Sequence, residues 1–330
     1  MMRSVLKRSQ ARRSNQGSNA FAAMIAGGAF ALLYFGVQPH AMKARAEEAI
    51  AMIETTTQSD SQAKTTAQEY KEIVPLNDLP SAEKQNTETT IVGGISGKYA
   101  LMLGIELLED GQELLSKSSG YRSLFLKQEL INDVMTDTQN IDLKVQHGPF
   151  SVYMKWKNFD KGREVLYVEG ENDDRMLCHA GGWKARFLPT MKLDPNGSMA
   201  MSEARHPITE AGLLKLVDML LEARRNDLKN PSQVVVHLED GHEYDGRPCI
   251  KMINEYHSKA QSEIYRRTEI LIDTEMSIPV LVENFAWPLE GQEATPENTL
   301  LESYGYQQIQ IENKFATNEF SKEYDGYTFR

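Results

Sequence analysis

The amino-acid sequence predicts an α+β protein: a bent antiparallel β-sheet, a half-barrel whose concave face is covered by amphipathic helices, preceded by an N-terminal membrane segment and a disordered linker. Three observations predict it. Apolar and polar residues alternate with period two in many short runs joined by turns, the pattern of half-buried strands in an antiparallel meander. Two other segments carry apolar residues at three-to-four spacing, the mark of a helix with one buried stripe. One strand face holds both Met154 and Trp156, so the sheet and the helix stripes must bury each other.

The elements follow in order. Arg3, Lys7, Arg8, Arg12 and Arg13 precede an uncharged run from Ala20 to Val37 that contains Phe21, Ile25, Phe30, Leu32, Leu33 and Phe35. A basic flank before an apolar run is an export signal, with the flank left in the cytoplasm. The run exceeds the roughly 7–15 residues of a signal core and approaches the ~20 of a spanning helix, which favours an anchor in the inner membrane through residues 20–37. Ala44-Arg45-Ala46 offers a cleavage site before Glu47, so export after cleavage stands as the second reading. Segment 1–46 is thus signal or anchor. Residues 47–97, rich in Thr, Gln, Ser, Ala and Glu, bury too little to offset their ordering entropy and read as a low-complexity tether.

The folded domain is expected over 98–330. Leu101, Ile105, Leu108 and Leu115 mark a helix over 98–117, and a strand follows over 121–131. Ile141, Leu143 and Val145 alternate with polar residues, a strand with one wet face. Phe150, Val152, Met154 and Trp156 alternate with Ser151, Tyr153 and Lys155, and Val165, Tyr167 and Glu169 do the same after a polar turn, so the two runs form a hairpin. Short strands are expected around 175–179 and 183–188. Pro189 to Ser202 reads as a loop through Asp194-Pro195-Asn196-Gly197. A second helix begins with Thr209 as N-cap, presents Leu213, Leu216, Val217, Leu220 and Leu221, and ends near Arg225 or Asp227. Five further strands are expected over 234–238, 249–256, 263–273, 280–287 and 300–309, with Asp245-Gly246 as one hairpin turn.

Composition excludes some functions. The first 46 residues hold seven Lys/Arg and no acid, leaving 29 basic against 47 acidic residues beyond them. Such a body repels nucleic-acid backbones, and no nucleic-acid partner is expected. The sequence has no H-E-x-x-H, no C-x-x-C and no His pair at i, i+4, so no metal site or cofactor is expected. Gly93 to Lys98 resembles the end of a phosphate-binding loop but has Val92 where the first glycine is required and Tyr99 where Ser or Thr must bind magnesium. No G-x-S-x-G elbow is present. The acids Glu169, Glu171, Asp173 and Asp174 read as a solvated turn. Arg205, near the expected helix start, is a candidate anion contact, with a salt bridge that fixes the helix on the sheet as the plainer reading. Cys178 and Cys249 are the only cysteines; an oxidising compartment permits a disulfide, and two buried free thiols are the alternative.

PFSVYMKW and GREVLYVEG, followed by HAGGW, LDPNGSMAM, RHPITEAGL, DGRPCIKM and IPVLVENFAWP, resemble a bacterial family of secreted proteins defined only as a domain of unknown function. More distantly, the strand order is similar to the periplasmic lipoprotein-carrier and lipoprotein-sorting superfamily. That resemblance implies a half-barrel with a helical lid that holds acyl chains. The expectation is therefore a non-catalytic periplasmic binding protein for a lipid, a lipoprotein acyl chain or another apolar envelope molecule. Met154, Trp156, Leu216, Leu220 and Trp287 are the expected ligand contacts. A structural or sensing protein with a packed core and an envelope protein partner is the alternative, and a hydrolase the distant one.

Overall fold

The structure, a computed structural model, describes residues 94–183 and 187–329. The expected membrane segment and nearly all of the tether lie outside the described residues. Thirteen strands form one sheet: β1 (Gly94–Ser96), β2 (Gly120–Ile131), β3 (Val134–Met135), β4 (Gln139–Gln146), β5 (Ser151–Trp156), β6 (Glu164–Val168), β7 (Met176–His179), β8 (Met191–Leu193), β9 (Val234–Tyr244), β10 (Arg247–Tyr256), β11 (Tyr265–Asp273), β12 (Pro279–Ala286) and β13 (Leu300–Glu312). Their order is β1-β9-β10-β11-β12-β13-β2-β4-β5-β6-β7-β8, with β3 on β2. Two antiparallel meanders, β2 to β8 and β9 to β13, are therefore joined into one sheet by the pairing of β13 with β2.

Two long helices cover one face: α1 (Gly97–Lys117) and α2 (Leu213–Asp227). Leu101, Leu108 and Leu115 of α1 and Leu213, Val217 and Leu221 of α2 are fully buried, the two stripes read from the sequence. Gly111 lets α1 lie against the β11–β12 turn, where any Cβ would sit 2.1 Å from the Ser277 carbonyl oxygen. The helices pair side by side through Gln112 Nε2 on Asp218 (2.5 Å) and Arg225 on Glu109 (2.8 Å).

Several boundaries differ from expectation, each for a local reason. Gly94–Ser96, placed in the tether, pairs with β9, which needs a neighbour for its outer row of peptide groups. The strand paired with β7 is Met191–Leu193, within the expected loop, and not 183–188. Helix α2 starts at Leu213 and not after Thr209: Ile208–Glu210 is a separate 3-10 turn, and Gly212 breaks the chain with φ 106°. The first helical N–H, of Leu213, donates to the buried Tyr121 hydroxyl at 3.0 Å, so a sheet residue does the work of a side-chain cap. Asp245 and Gly246 both have positive φ, as a two-residue I′ hairpin turn requires.

The opposite face of β4 to β7 is covered by the chain end. Tyr153, Leu166, Val168 and Leu177 pack with Phe315 and Phe320, while Tyr327 stacks on Tyr153 at 3.9 Å. Residues 313–329 thus form a strap over the outer face, which the sequence pattern did not foretell.

Candidate functional site

Between α2 and the inner face of the sheet lies a cavity of about 850 Å³. Two rows of cross-strand neighbours supply its floor, all but their end members Leu143 and Asn254 lining the cavity. In the first, Leu143, Met154, Val165, Cys178 and Met191 stand in register across β4, β5, β6, β7 and β8. In the second, Asn254, Thr268, Asn284, Glu302 and Glu129 stand in register across β10, β11, β12, β13 and β2. One half of the floor is therefore apolar and rich in sulfur, and the other is a polar ladder.

The apolar half is lined by Met154, Trp156, Val165, Met176 and Met191, and α2 adds Leu216, Met219 and Leu220 from above. Met199 and Met201 bring the lining methionines to six. Unbranched, polarizable side chains adapt to irregular apolar shapes, the property of surfaces that accept varied apolar partners. Trp156 is fixed in place, because its Nε1 donates to Gln139 at 2.8 Å and Arg163 lies 4.8 Å over its ring.

At the polar half, Glu302 is 1% exposed and Glu129 is 2% exposed. Thr268 Oγ1 donates to Asn284 (2.8 Å), whose Nδ2 donates to Glu302 Oε1 (2.8 Å), and the Tyr265 hydroxyl donates to the same oxygen at 2.8 Å. Arg205 Nε (2.7 Å) and His206 Nε2 (3.1 Å) meet Oε2. Glu129 accepts from the Tyr304 hydroxyl (2.6 Å) and the Arg205 backbone N–H (3.2 Å), and pairs with Lys127 at 3.0 Å. Burial pushes the Glu302 carboxyl up, but hydrogen bonds from His206, Asn284 and Tyr265 outweigh it and hold the group at about 2. The same bond to Glu302 raises His206. Two residues of the segment before α2 are thus clasped to two buried carboxylates on the sheet.

Four of the five expected contacts, Met154, Trp156, Leu216 and Leu220, line this one cavity. Trp287 does not; its Nε1 is committed to the Ser262 carbonyl at 3.0 Å. Arg205 does not stand at the helix start, and its charge is matched by Glu302. The disulfide is absent: Cys178 and Cys249 are free, on β7 and β10 with seven strands between them. Burial pushes both thiols up to about 11, far from the thiolate range of reactive cysteines. Among the 169–174 acids, Asp174 caps the Gly170 N–H at 2.8 Å, and no metal-holding cluster of His, Cys, Asp and Glu occurs among the described residues.

Glu302, Glu129, Tyr265, Tyr304 and Asn284 were missed from sequence. One signal was present: in β13 the inward positions run Glu302, Tyr304, Tyr306, a charge on the buried face of a central strand, which demands partners.

A family model described as a protein of unknown function, DUF1571, matches residues 118–329. The chain belongs to this family. The match runs from the end of α1 to the strap, so it takes in the whole cavity floor, the clasp and α2. Among curated proteins none matches the chain. Similar solved structures include the MucA/MucB complex of Pseudomonas aeruginosa, at 13% identity and TM-score 0.37, over 66% of this chain and 60% of that one. A LolA superfamily protein of Nitrosomonas europaea is similar at 9% identity and TM-score 0.28, over 66% of this chain and 97% of that one. The lipoprotein LppX of Mycobacterium tuberculosis is similar at 11% identity and TM-score 0.36, over 65% of this chain and 97% of that one.

Proposed function

We propose that the protein is a binding protein of the cell envelope that holds the apolar part of a lipid, a lipoprotein acyl chain or a similar molecule between α2 and the sheet, without transforming it. The carrying observation is the cavity itself: about 850 Å³, floored by Met154 and Trp156 and roofed by Leu216 and Leu220. A pocket of this size with a mainly apolar lining and a few placed polar groups is the common form of a small-molecule site. Its ionisable groups are spent on one another. Glu302 is matched by Arg205, and the Cys178 thiol is held protonated by burial. In this reading the basic and apolar residues 3–37 keep the domain on the periplasmic side of the inner membrane.

Replacement of Leu216 by Trp tests the reading. In an empty cavity the indole occupies free space, so an apolar fluorescent probe is blocked while thermal stability stays nearly unchanged. A packed core would instead be overfilled, at a cost of about 1–3 kcal/mol. Stability loss in the variant together with no probe binding by the parent would overturn the binding function and leave a structural protein with a protein partner. Native mass spectrometry of the gently purified chain gives an independent check, since the proposal requires a co-purifying apolar molecule.

A further inference from the structure

On the cavity side of α2, Leu216, Leu220 and Arg224 recur every four residues, and all three line the space above the sheet. The apolar stripe thus ends in a guanidinium that is 3% exposed. Part of its role is structural: Arg224 Nε lies 2.9 Å from Asp227, Nη2 donates to the Tyr256 hydroxyl at 2.8 Å, and that hydroxyl donates to Asp227 at 3.0 Å. These contacts tie the end of α2 to β10 and match the charge. They do not use the whole fork, because Nη1 is buried and has no hydrogen-bond partner among the described residues. A second polar group in the same corner is also unspent. In the polar row of the floor Thr268, Asn284, Glu302 and Glu129 are all bonded, but Asn254 is 0% exposed and neither its Nδ2 nor its Oδ1 has a partner among the described residues. Asn254 stands opposite Thr268 of β11 and two residues before Tyr256 on the same face of β10, and both of those neighbours line the cavity. Buried polar atoms are nearly always paired, so unpaired groups from two elements in one corner mark a place for a polar partner.

We infer that this corner is a subsite for an uncharged acyl carbonyl, that of an ester or an amide, which accepts from Arg224 Nη1 beside the Asn254 amide while the hydrocarbon tail runs along Leu220 and Leu216 towards Met154. Charge balance selects the class. Asp227 already matches Arg224, so a carboxylate or phosphate would bring an uncompensated charge into a buried place. A carbonyl oxygen supplies the acceptor without the charge. The inference rests on the binding function and adds to it: Arg224 sets which end of the ligand lies at β10, and makes the site prefer acyl chains to plain hydrocarbon. If Arg224 were only a clip between α2 and β10, it would give no such preference.

A pair of ligands that differ only in the carbonyl tests the subsite. An apolar fluorescent probe bound to the full-length chain is displaced by monodecanoylglycerol, by its monodecyl ether analogue and by decanoate. The ester is expected to bind about tenfold more tightly than the ether, the lower end for a hydrogen bond to a charged donor, and more tightly than the carboxylate. Arg224→Lys keeps the charge beside Asp227 and removes Nη1, and is expected to bring the ester-to-ether ratio towards one. Asn254→Leu, which removes the amide at similar volume, is expected to lower the ratio too. Should the lysine variant not fold, the ratio in the parent and in Asn254→Leu still decides. Equal affinity of the parent for ester and ether would overturn the inference and leave the binding function standing. Tightest binding of decanoate would overturn it in favour of an anion site. A ratio unchanged in both variants would overturn the assignment to this corner, and a parent that binds neither the probe nor any of the three would overturn the binding function and the inference together.

Discussion

At the scale of single residues, Glu302 concentrates the electrostatics of the inner face. A carboxylate at 1% exposure is costly unless its oxygens are filled, and here Arg205, His206, Asn284 and Tyr265 fill them. Its folded value, about 2, lies below the ordinary 4.5. The stabilisation is therefore complete above the ordinary value and is lost as pH falls towards 2; the shift corresponds to roughly 3 kcal/mol. His206 acts in the other direction: its raised value stabilises the fold while it is protonated and ceases to do so as pH rises through that value. Glu129, Glu210 and Glu302 all favour the protonated ring. Equilibrium unfolding against pH should show the acid-side loss diminished in Glu302→Gln and the rise-side loss removed in His206→Gln. Arg205→Met should cost about 1.5–3 kcal/mol, the range for hydrogen bonds to charged groups; an unchanged midpoint would show that the clasp carries no stability. Met154 and Trp156 were legible because alternation assigns a face from neighbours in sequence. The partners of Glu302 were not, because β11, β12, β13 and the segment before α2 meet only through sheet register.

At the scale of elements, α2 shows how the sheet sets a helix start. The sequence offers Thr209 as an N-cap, an inference from local preference alone. Gly212 and Tyr121 decide otherwise: the positive φ of Gly212 ends the preceding turn, and the Tyr121 hydroxyl takes the Leu213 N–H. Tyr121 is fully buried on β2, 92 residues away in sequence, so no local rule sees it. Tyr121→Phe keeps the ring and leaves that N–H unpaired, and should cost about 1–3 kcal/mol in denaturant unfolding. Faster amide hydrogen exchange is expected in the first turn of α2 and not in α1. A uniform rise in exchange would instead point to a general loosening. For α1 the constraint is close approach: Gly111→Ala drives a Cβ into the Ser277 carbonyl and should destabilise, although alanine is the better helix former. Increased stability in that variant would refute the packing of α1 on the β11–β12 turn.

For the molecule as a whole, the two faces of the sheet divide the tasks. The inner face of β5 to β8 borders a cavity, and its side chains lack the close partners that a packed core would give them. Stability on that side of the sheet must then come from the outer face, which is where the strap 313–329 lies. Its Glu319 is 2% exposed, accepts from Arg122 Nη2 at 2.8 Å and pairs with Lys144 at 2.9 Å, while the Thr328 N–H closes on the buried Glu164 at 2.7 Å. The antiparallel open sheet and its two long helices were legible in the sequence because alternation and helical stripes are local signals. The strap was not, since Phe315, Phe320 and Tyr327 follow no period and gain meaning only against Tyr153 and Leu166. This division can be measured. Phe320→Ala removes a buried ring from the outer cluster and should cost about 3–5 kcal/mol. Met219→Ala, at a cavity wall and 42% exposed, removes a side chain with few packed neighbours and should stay within about 0.5–1 kcal/mol, nearer the range of surface substitutions. Unfolding of both variants by denaturant, compared with the parent, decides the matter. Equal costs would mean that the inner face is packed as tightly as the outer one, and that the space between α2 and the sheet is core and not a binding site.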